Sequence, residues 1–289
     1  MKHSDFGTER CARPARVNAL KRRIACTLSK LANDLFYRVY RPEWRAFDEL
    51  VTKQFADSSD FFFVQIGAND GVTHDFLHRY IQAYRWRGIL VEPVPAYCDL
   101  LRAHYQGVPA VVIEQSAISI SEGTRTFYRI DDPAAELPAW SKGLASLHLE
   151  VIRKHRWMIP DLEEAIVAEP VRCITLATLI RKHQVKKIDL LSVDTEGHDF
   201  EVIKQLDFAR FLPRMIIYEH KHLRRETRRH CEDLLTAQGY RLTKHLSNTL
   251  AYLPYSGSSS KVEREAEERA TRHTVDGRRG ASEEGDKVI

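Results

Sequence analysis

A chain of 289 residues with 44 Lys and Arg against 40 Asp and Glu, a formal net charge of +4, has room for one sizeable core with terminal extensions and is cramped for two full domains. That charge does not by itself require a nucleic-acid partner, and Cys11, Cys26, Cys98, Cys173 and Cys231 are scattered, with no Cys-x-x-Cys pair to suggest a zinc site or redox motif. No apolar run approaches the roughly 20 residues a spanning helix needs and the N-terminus lacks the apolar core of a secretory signal, so a soluble, cytoplasmic protein in a reducing compartment is expected.

In chain order, residues 1–50 form a basic extension. Arg10, Arg13, Arg16, Lys21, Arg22, Arg23 and Lys30 accompany Val17, Leu20, Ile24, Leu28, Leu31 and Leu35, whose three- and four-residue steps predict an amphipathic helix. Such a helix packs against its own domain with the charges solvated. Peripheral contact with an anionic membrane, or with RNA, is the alternative.

The domain expected over 51–255 opens with Phe61-Phe62-Phe63-Val64-Gln65-Ile66, an apolar run too short for a buried helix and stopped by glycine, hence a buried strand. Gly67-Ala68-Asn69-Asp70-Gly71 follows, and about twenty residues on, Gly88-Ile89-Leu90-Val91 ends in Glu92-Pro93. These are two adjacent parallel strands whose C-terminal ends suit a nucleoside. The glycines let the backbone turn and approach a ligand, and a carboxylate ending the second strand reaches both ribose hydroxyls. A dinucleotide fingerprint requires G-x-G-x-x-G, and here Asp70 would repel a phosphate. S-adenosylmethionine, with a sulfonium, an ammonium, a ribose and no phosphate, fits better. A plainer reading makes residues 69–71 a strand-to-helix turn capped by Asp70.

Helical spacing at 75–84 and 96–105, with a third strand at 110–114, gives β-α-β units. Residues 117–120 and 124–129 suggest a short hairpin through Glu122-Gly123, and 131–170 is irregular. A helix at 176–183, strands at 188–193 and 215–219, a helix at 225–238, and a hairpin of 240–244 with 249–253 bring the count to about seven strands. The expected fold class is α/β: a doubly wound, mostly parallel seven-stranded sheet with a C-terminal antiparallel hairpin, ligands binding at the carboxyl ends of the strands. The charged segment 256–289, with little apolar content, is expected to be disordered.

Gly67, Asn69, Asp70, Glu92, Ser116, Asp194, Glu196, Glu219 and His220 all fall just after predicted strands. Acids buried there must titrate, pair or bind something cationic. An aliphatic hydroxyl needs a base to become a good nucleophile, and Asp194, Glu196, His198, Glu219, His220 and His222 are candidates, with structural hydrogen bonding the alternative role for each histidine. The same groups offer ligands to a divalent metal that would lower the hydroxyl pKa, an alternative less favoured than a metal-free site. Glu196 also suits the start of a helix through Phe200 and Val202, and Asp199 and Glu201 read as solvated helix residues.

The segment Val193-Asp194-Thr195-Glu196-Gly197-His198-Asp199-Phe200-Glu201, taken with the Gly67–Gly71 and Val91-Glu92-Pro93 blocks, resembles the FkbM-type methyltransferases. This is a class I, S-adenosylmethionine-dependent family with a Rossmann-like fold, and the similarity covers roughly 61–253. Asp-x-Glu-Gly is the most specific element, with Glu201 serving as the further acid of the family; the strand ending Ile216-Ile217-Tyr218-Glu219-His220 also matches. The resemblance implies O-methylation of a hydroxyl on a sugar, glycan, glycolipid or secondary metabolite. It implies that Gly67, Asn69, Asp70 and Gly71 surround the methionine part, that Glu92 holds the ribose, and that Ser116 and Ala117 lie near the adenine. Asp194, Glu196 and Glu219 would face the methyl group and acceptor.

Residues 131–172, with Trp140, His148, His155 and Trp157, match no family pattern and are expected to select the acceptor. The tryptophans either stack on a sugar or anchor the insertion. Competing accounts are a non-catalytic S-adenosylmethionine-binding module, an RNA methyltransferase supported only by the basic N-terminus, and a nicotinamide-dependent dehydrogenase, disfavoured by the missing third glycine and Asp70.

Overall fold

The structure, a computed structural model, describes residues 47–48, 51–52, 60–73, 75–108, 110–132, 137, 139–159 and 161–254. The N-terminal extension, apart from Phe47 and Asp48, and the charged tail lie outside the described residues.

Strands Phe62–Ile66 (β1), Arg87–Val91 (β2) and Val111–Glu114 (β3) pair in parallel, with helices His78–Tyr84 (α1) and Pro95–His104 (α2) as the crossovers. Beyond β3 come Ala117–Ile118 (β4), Gly123–Ile130 (β5), Ala145–Ser146 (β6), helices Leu149–Arg153 (α3) and Leu162–Ala165 (α4), and Ile166–Ile174 (β7). The chain then returns through Leu176–Lys182 (α5), Leu190–Val193 (β8), Asp199–Ile203 (α6), Met215–Glu219 (β9), Arg225–Ala237 (α7), Arg241–His245 (β10) and Asn248–Tyr252 (β11).

Among the described residues the main sheet has seven strands in the order β10-β11-β9-β8-β1-β2-β3. Every residue of β8 and β9 is buried, as are four of the five in β1. Both sheet faces are therefore covered, so these strands are predominantly apolar rather than alternating, with Gln65, Ser192 and Glu219 as their buried polar residues. β11 pairs antiparallel with both β9 and β10, the expected C-terminal hairpin. The chain leaves β1 toward β2 on one side and reaches β8 on the other, so the switch point of the doubly wound sheet lies between β1 and β8. Beneath β1 and β2, Phe61 stacks on Trp86 at 4.0 Å between ring centroids, with Tyr80 5.7 Å from Trp86.

The stretch 131–170, expected to be irregular, instead completes a second sheet in the order β4-β7-β5-β6. β5 runs antiparallel to β7 from Gly123 opposite Cys173 to Ile130 opposite Ile166. The expected hairpin of 117–120 with 124–129 does not form: β4 and β5 lie on opposite edges of β7. Ile130, Leu137, Leu144, Ile152, Ile159 and Leu162 make a separate small core beside it. No helix among the described residues is long and apolar enough to cross a membrane.

Candidate active site

A cavity of about 930 Å³ opens at the carboxyl ends of β1, β2 and β8, on the switch-point side of the sheet. Its wall begins at Gly67, whose N–H donates to the Val91 carbonyl at 3.0 Å and whose φ is +83°. A Cβ there would lie 1.7 Å from the Asp194 carbonyl oxygen. Glycine is required because the ends of β1 and β8 touch, and it takes the left-handed backbone without strain. Asn69 follows at φ +48°, a conformation asparagine tolerates better than most residues.

Glu92 is 5% exposed and lines the cavity. Its Oε2 accepts the N–H of Asn69 and its Oε1 that of Val94, each at 2.9 Å. The scaffold thus orients the carboxylate while leaving a second lone pair on each oxygen. Burial pushes its pKa up to about 7, against the pull of those two amides. Ser116 and Ala117 line the cavity beyond β3. Ser116 Oγ is buried without a hydrogen-bond partner among the described residues, and so is the Oε1 of cavity-lining Gln65. Trp140, Gly143, Ala145 and Leu147 of the insertion also line it.

Asp194, Thr195 and Glu196 form the acidic end. Enclosure by the surrounding protein, then repulsion from Glu196 and Asp199, raises the Asp194 carboxyl well above its ordinary range. Asp194 keeps solvent contact through the cavity, which limits that rise. Glu219 sits behind, its pKa driven up by burial and then by Asp194, Glu196 and Asp199. His222 Nε2 lies 2.9 Å from Glu196 Oε2 and 3.7 Å from Glu219 Oε2. His198 lines the cavity, with its Nδ1 3.2 Å from His148 Nε2; burial and then His148 lower it to about 4, so the ring is neutral.

Gly67, Asn69, Glu92, Ser116, Ala117, Asp194 and Glu196 therefore share one cavity, while Asp70, Gly71, Glu219 and His220 do not line it. Asp70 is a loop cap: its carboxylate accepts the N–H of Val72 at 2.9 Å and of Thr73 at 2.7 Å, with the Thr73 hydroxyl at 2.6 Å. Gly71 packs under α2, where a Cβ would meet Leu101 at 2.5 Å. His220 is buried, its Nδ1 2.9 Å from Thr249 Oγ1, the structural hydrogen-bonding role that was its alternative.

Three further expectations are corrected. Glu196 does not begin a helix; it sits at φ +50° in the turn before α6. Asp199 is 0% exposed rather than solvated, whereas Glu201 pairs with Lys204 at 2.6 Å. Trp157 is 80% exposed, so only Trp140 of the two tryptophans reaches the cavity. Asp75, absent from the sequence-based set, also lines it, and burial raises its pKa to about 6.

The arrangement fits S-adenosylmethionine. Unpartnered Ser116 Oγ and Gln65 Oε1 await polar atoms, Glu92 has lone pairs for a ribose, and the acidic end suits a cationic ligand.

No curated protein matches the chain. Among solved structures, the Methanococcus jannaschii fibrillarin pre-rRNA processing protein is 12% identical, with 69% of this chain and 68% of that chain covered and a TM-score of 0.35. The precorrin-6y C5,15-methyltransferase from Geobacter metallireducens is 12% identical over 68% and 81%, TM-score 0.34. The human methyltransferase 10 domain containing protein is 11% identical over 83% and 97%, TM-score 0.40. Likenesses this distant carry no argument about activity. The methyltransferase FkbM domain, in contrast, matches residues 65–242, more than half of the chain and all three of the strand ends that build the cavity. The chain belongs to the FkbM family of S-adenosylmethionine-dependent methyltransferases.

Proposed function

We propose that the protein methylates a hydroxyl oxygen on a carbohydrate-bearing or small-molecule acceptor. The observation that carries this reading is the acidic end of the cavity, where Asp194 and Glu196 stand at the carboxyl end of β8. S-adenosylmethionine supplies an electrophilic methyl group on a positively charged sulfonium. Glu92, fixed by two backbone amides, accepts the ribose hydroxyls. Gly67 and Asn69 bring backbone close to the ligand, and Ser116 bonds the base.

Asp194 takes the proton of the acceptor hydroxyl. Burial, and then repulsion from Glu196 and Asp199, raise its pKa and so make it a stronger base than a solvated carboxylate. Trp140 offers a flat apolar surface for a sugar ring. Arg79 is the sole Lys or Arg among the described lining residues, and it pairs with Asp48. That balance favours a neutral hydroxyl acceptor over a polyanion such as RNA.

The experiment is calorimetric titration of S-adenosylmethionine and NAD into wild type and Glu92→Ala, followed by methyl transfer to a panel of sugars, glycolipids and RNA. Micromolar S-adenosylmethionine binding lost in the variant, with transfer to a hydroxyl acceptor, supports the reading. Retained affinity in Glu92→Ala, or transfer to RNA alone, refutes it.

A further inference from the structure

One carboxylate oxygen each from Glu196 and Glu219 and one imidazole nitrogen of His222 lie within 4.8 Å of one another. Glu196 Oε2, Glu219 Oε2 and His222 Nε2 are all buried, and none has a hydrogen-bond partner among the described residues. His222 Nε2 approaches Glu196 Oε2 to 2.9 Å without hydrogen-bond alignment. Glu219 and His222 are each 7% exposed, so leaving these atoms unpaired is costly. Two acids and an imidazole converging in this way lack one thing, a positive charge between them. In an octahedral site with bonds of about 2.1 Å, neighbouring ligand atoms sit about 3 Å apart, which is the separation His222 and Glu196 already have.

The backbone holds these ligands in place. Asp199 accepts the N–H of Gly197, next to Glu196, at 3.2 Å and the N–H of Glu219 at 3.1 Å. One buried carboxylate therefore ties together both acid-bearing segments, as outer-shell groups do around metal ligands. Gly197, at φ +98°, lets the turn pass against His222, whose Cβ would be 3.5 Å from an added Cβ.

We propose that Glu196, Glu219 and His222 bind one divalent cation that accepts mixed oxygen and nitrogen donors, Mn²⁺ being a suitable probe. Glu196 also lines the cavity, so the remaining coordination positions open toward the acceptor, where the cation lowers the hydroxyl pKa. That role rests on the hydroxyl-methylation reading; binding of the cation does not.

The test is titration of Mn²⁺ into the metal-stripped full-length chain, read by the electron paramagnetic resonance signal of free Mn²⁺. Wild type is compared with Glu219→Gln and His222→Phe, each checked for folding by circular dichroism. The expected result is one Mn²⁺ per chain, with affinity lowered at least about tenfold in both variants. Should either buried variant fail to fold, Glu196→Gln replaces it, because Glu196 is partly exposed and its loss leaves the core intact. No saturable binding to wild type, or unchanged affinity in the folded variants, overturns the site. Glu92→Ala should keep Mn²⁺ while losing S-adenosylmethionine. Wild type that binds Mn²⁺ but methylates no hydroxyl overturns the methylation reading and leaves the cation site standing.

Discussion

Asp199 Oδ1 accepts the backbone N–H of Glu219 at 3.1 Å, so a carboxylate at the start of α6 fixes the end of β9. Its Oδ2 takes the Thr195 hydroxyl at 3.1 Å and the Gly197 N–H at 3.2 Å. Asp199→Ala strands these donors in a buried place, and a loss of about 3 kcal/mol is expected in urea unfolding. Asp199→Asn keeps one acceptor oxygen and should lose less. An alanine variant as stable as wild type would show that the turn relaxes without this tie.

Gly67 makes a sharper steric prediction. Alanine there puts a methyl group 1.7 Å from the Asp194 carbonyl oxygen, on a backbone at φ +83°. The ends of β1 and β8 must part, at a cost of about 3 kcal/mol or more, and the cavity mouth is distorted with them. Gly67→Ala should unfold at lower urea and bind S-adenosylmethionine weakly or not at all. Wild-type affinity in a folded Gly67→Ala protein would mean that the ligand does not sit against this turn.

The parallel sheet was legible because β1, β8 and β9 are buried on both faces and so are predominantly apolar rather than alternating. β7 was not. Glu169, Pro170 and Arg172 interrupt it, and its partner β5 lies some forty residues away, beyond the reach of any local pattern. The strand-end rule located Glu92 and Asp194. It could not separate His220 from His222, since the turn after β9 sets one ring against Thr249 and the other against Glu196. Asp199 was misread because helical spacing says nothing of the Thr195–Gly197 turn folding over it.

Glu92 gives the fold a pH dependence of known sign. Burial raises its pKa from 4.5 to about 7. The folded state therefore holds a proton more tightly than the unfolded one. The stability this contributes is complete below about pH 4.5 and is lost as pH rises through about 7. The full swing is up to about 3 kcal/mol. Glu92→Gln cannot lose a proton, though it gives up one of the two amide bonds at every pH. Relative to wild type, its Tm should improve between pH 5 and pH 8; a difference that stays constant would place the Glu92 pKa near that of a solvated carboxyl.

Ser116 separates stability from binding. Ser116 is 1% exposed, and Oγ has no partner among the described residues, so the free protein buries a polar group without a protein hydrogen bond. Ser116→Ala removes that penalty and should stabilise the ligand-free protein by about 1 kcal/mol, or about 2 °C in Tm. If the hydroxyl bonds the adenine, the same substitution should weaken S-adenosylmethionine by about fivefold, the equivalent of one hydrogen bond. The two effects have opposite signs, which a merely structural serine would not produce. A more stable variant with unchanged affinity would move the adenine away from the end of β3, and a less stable one would mean that the hydroxyl is satisfied by water in the free protein.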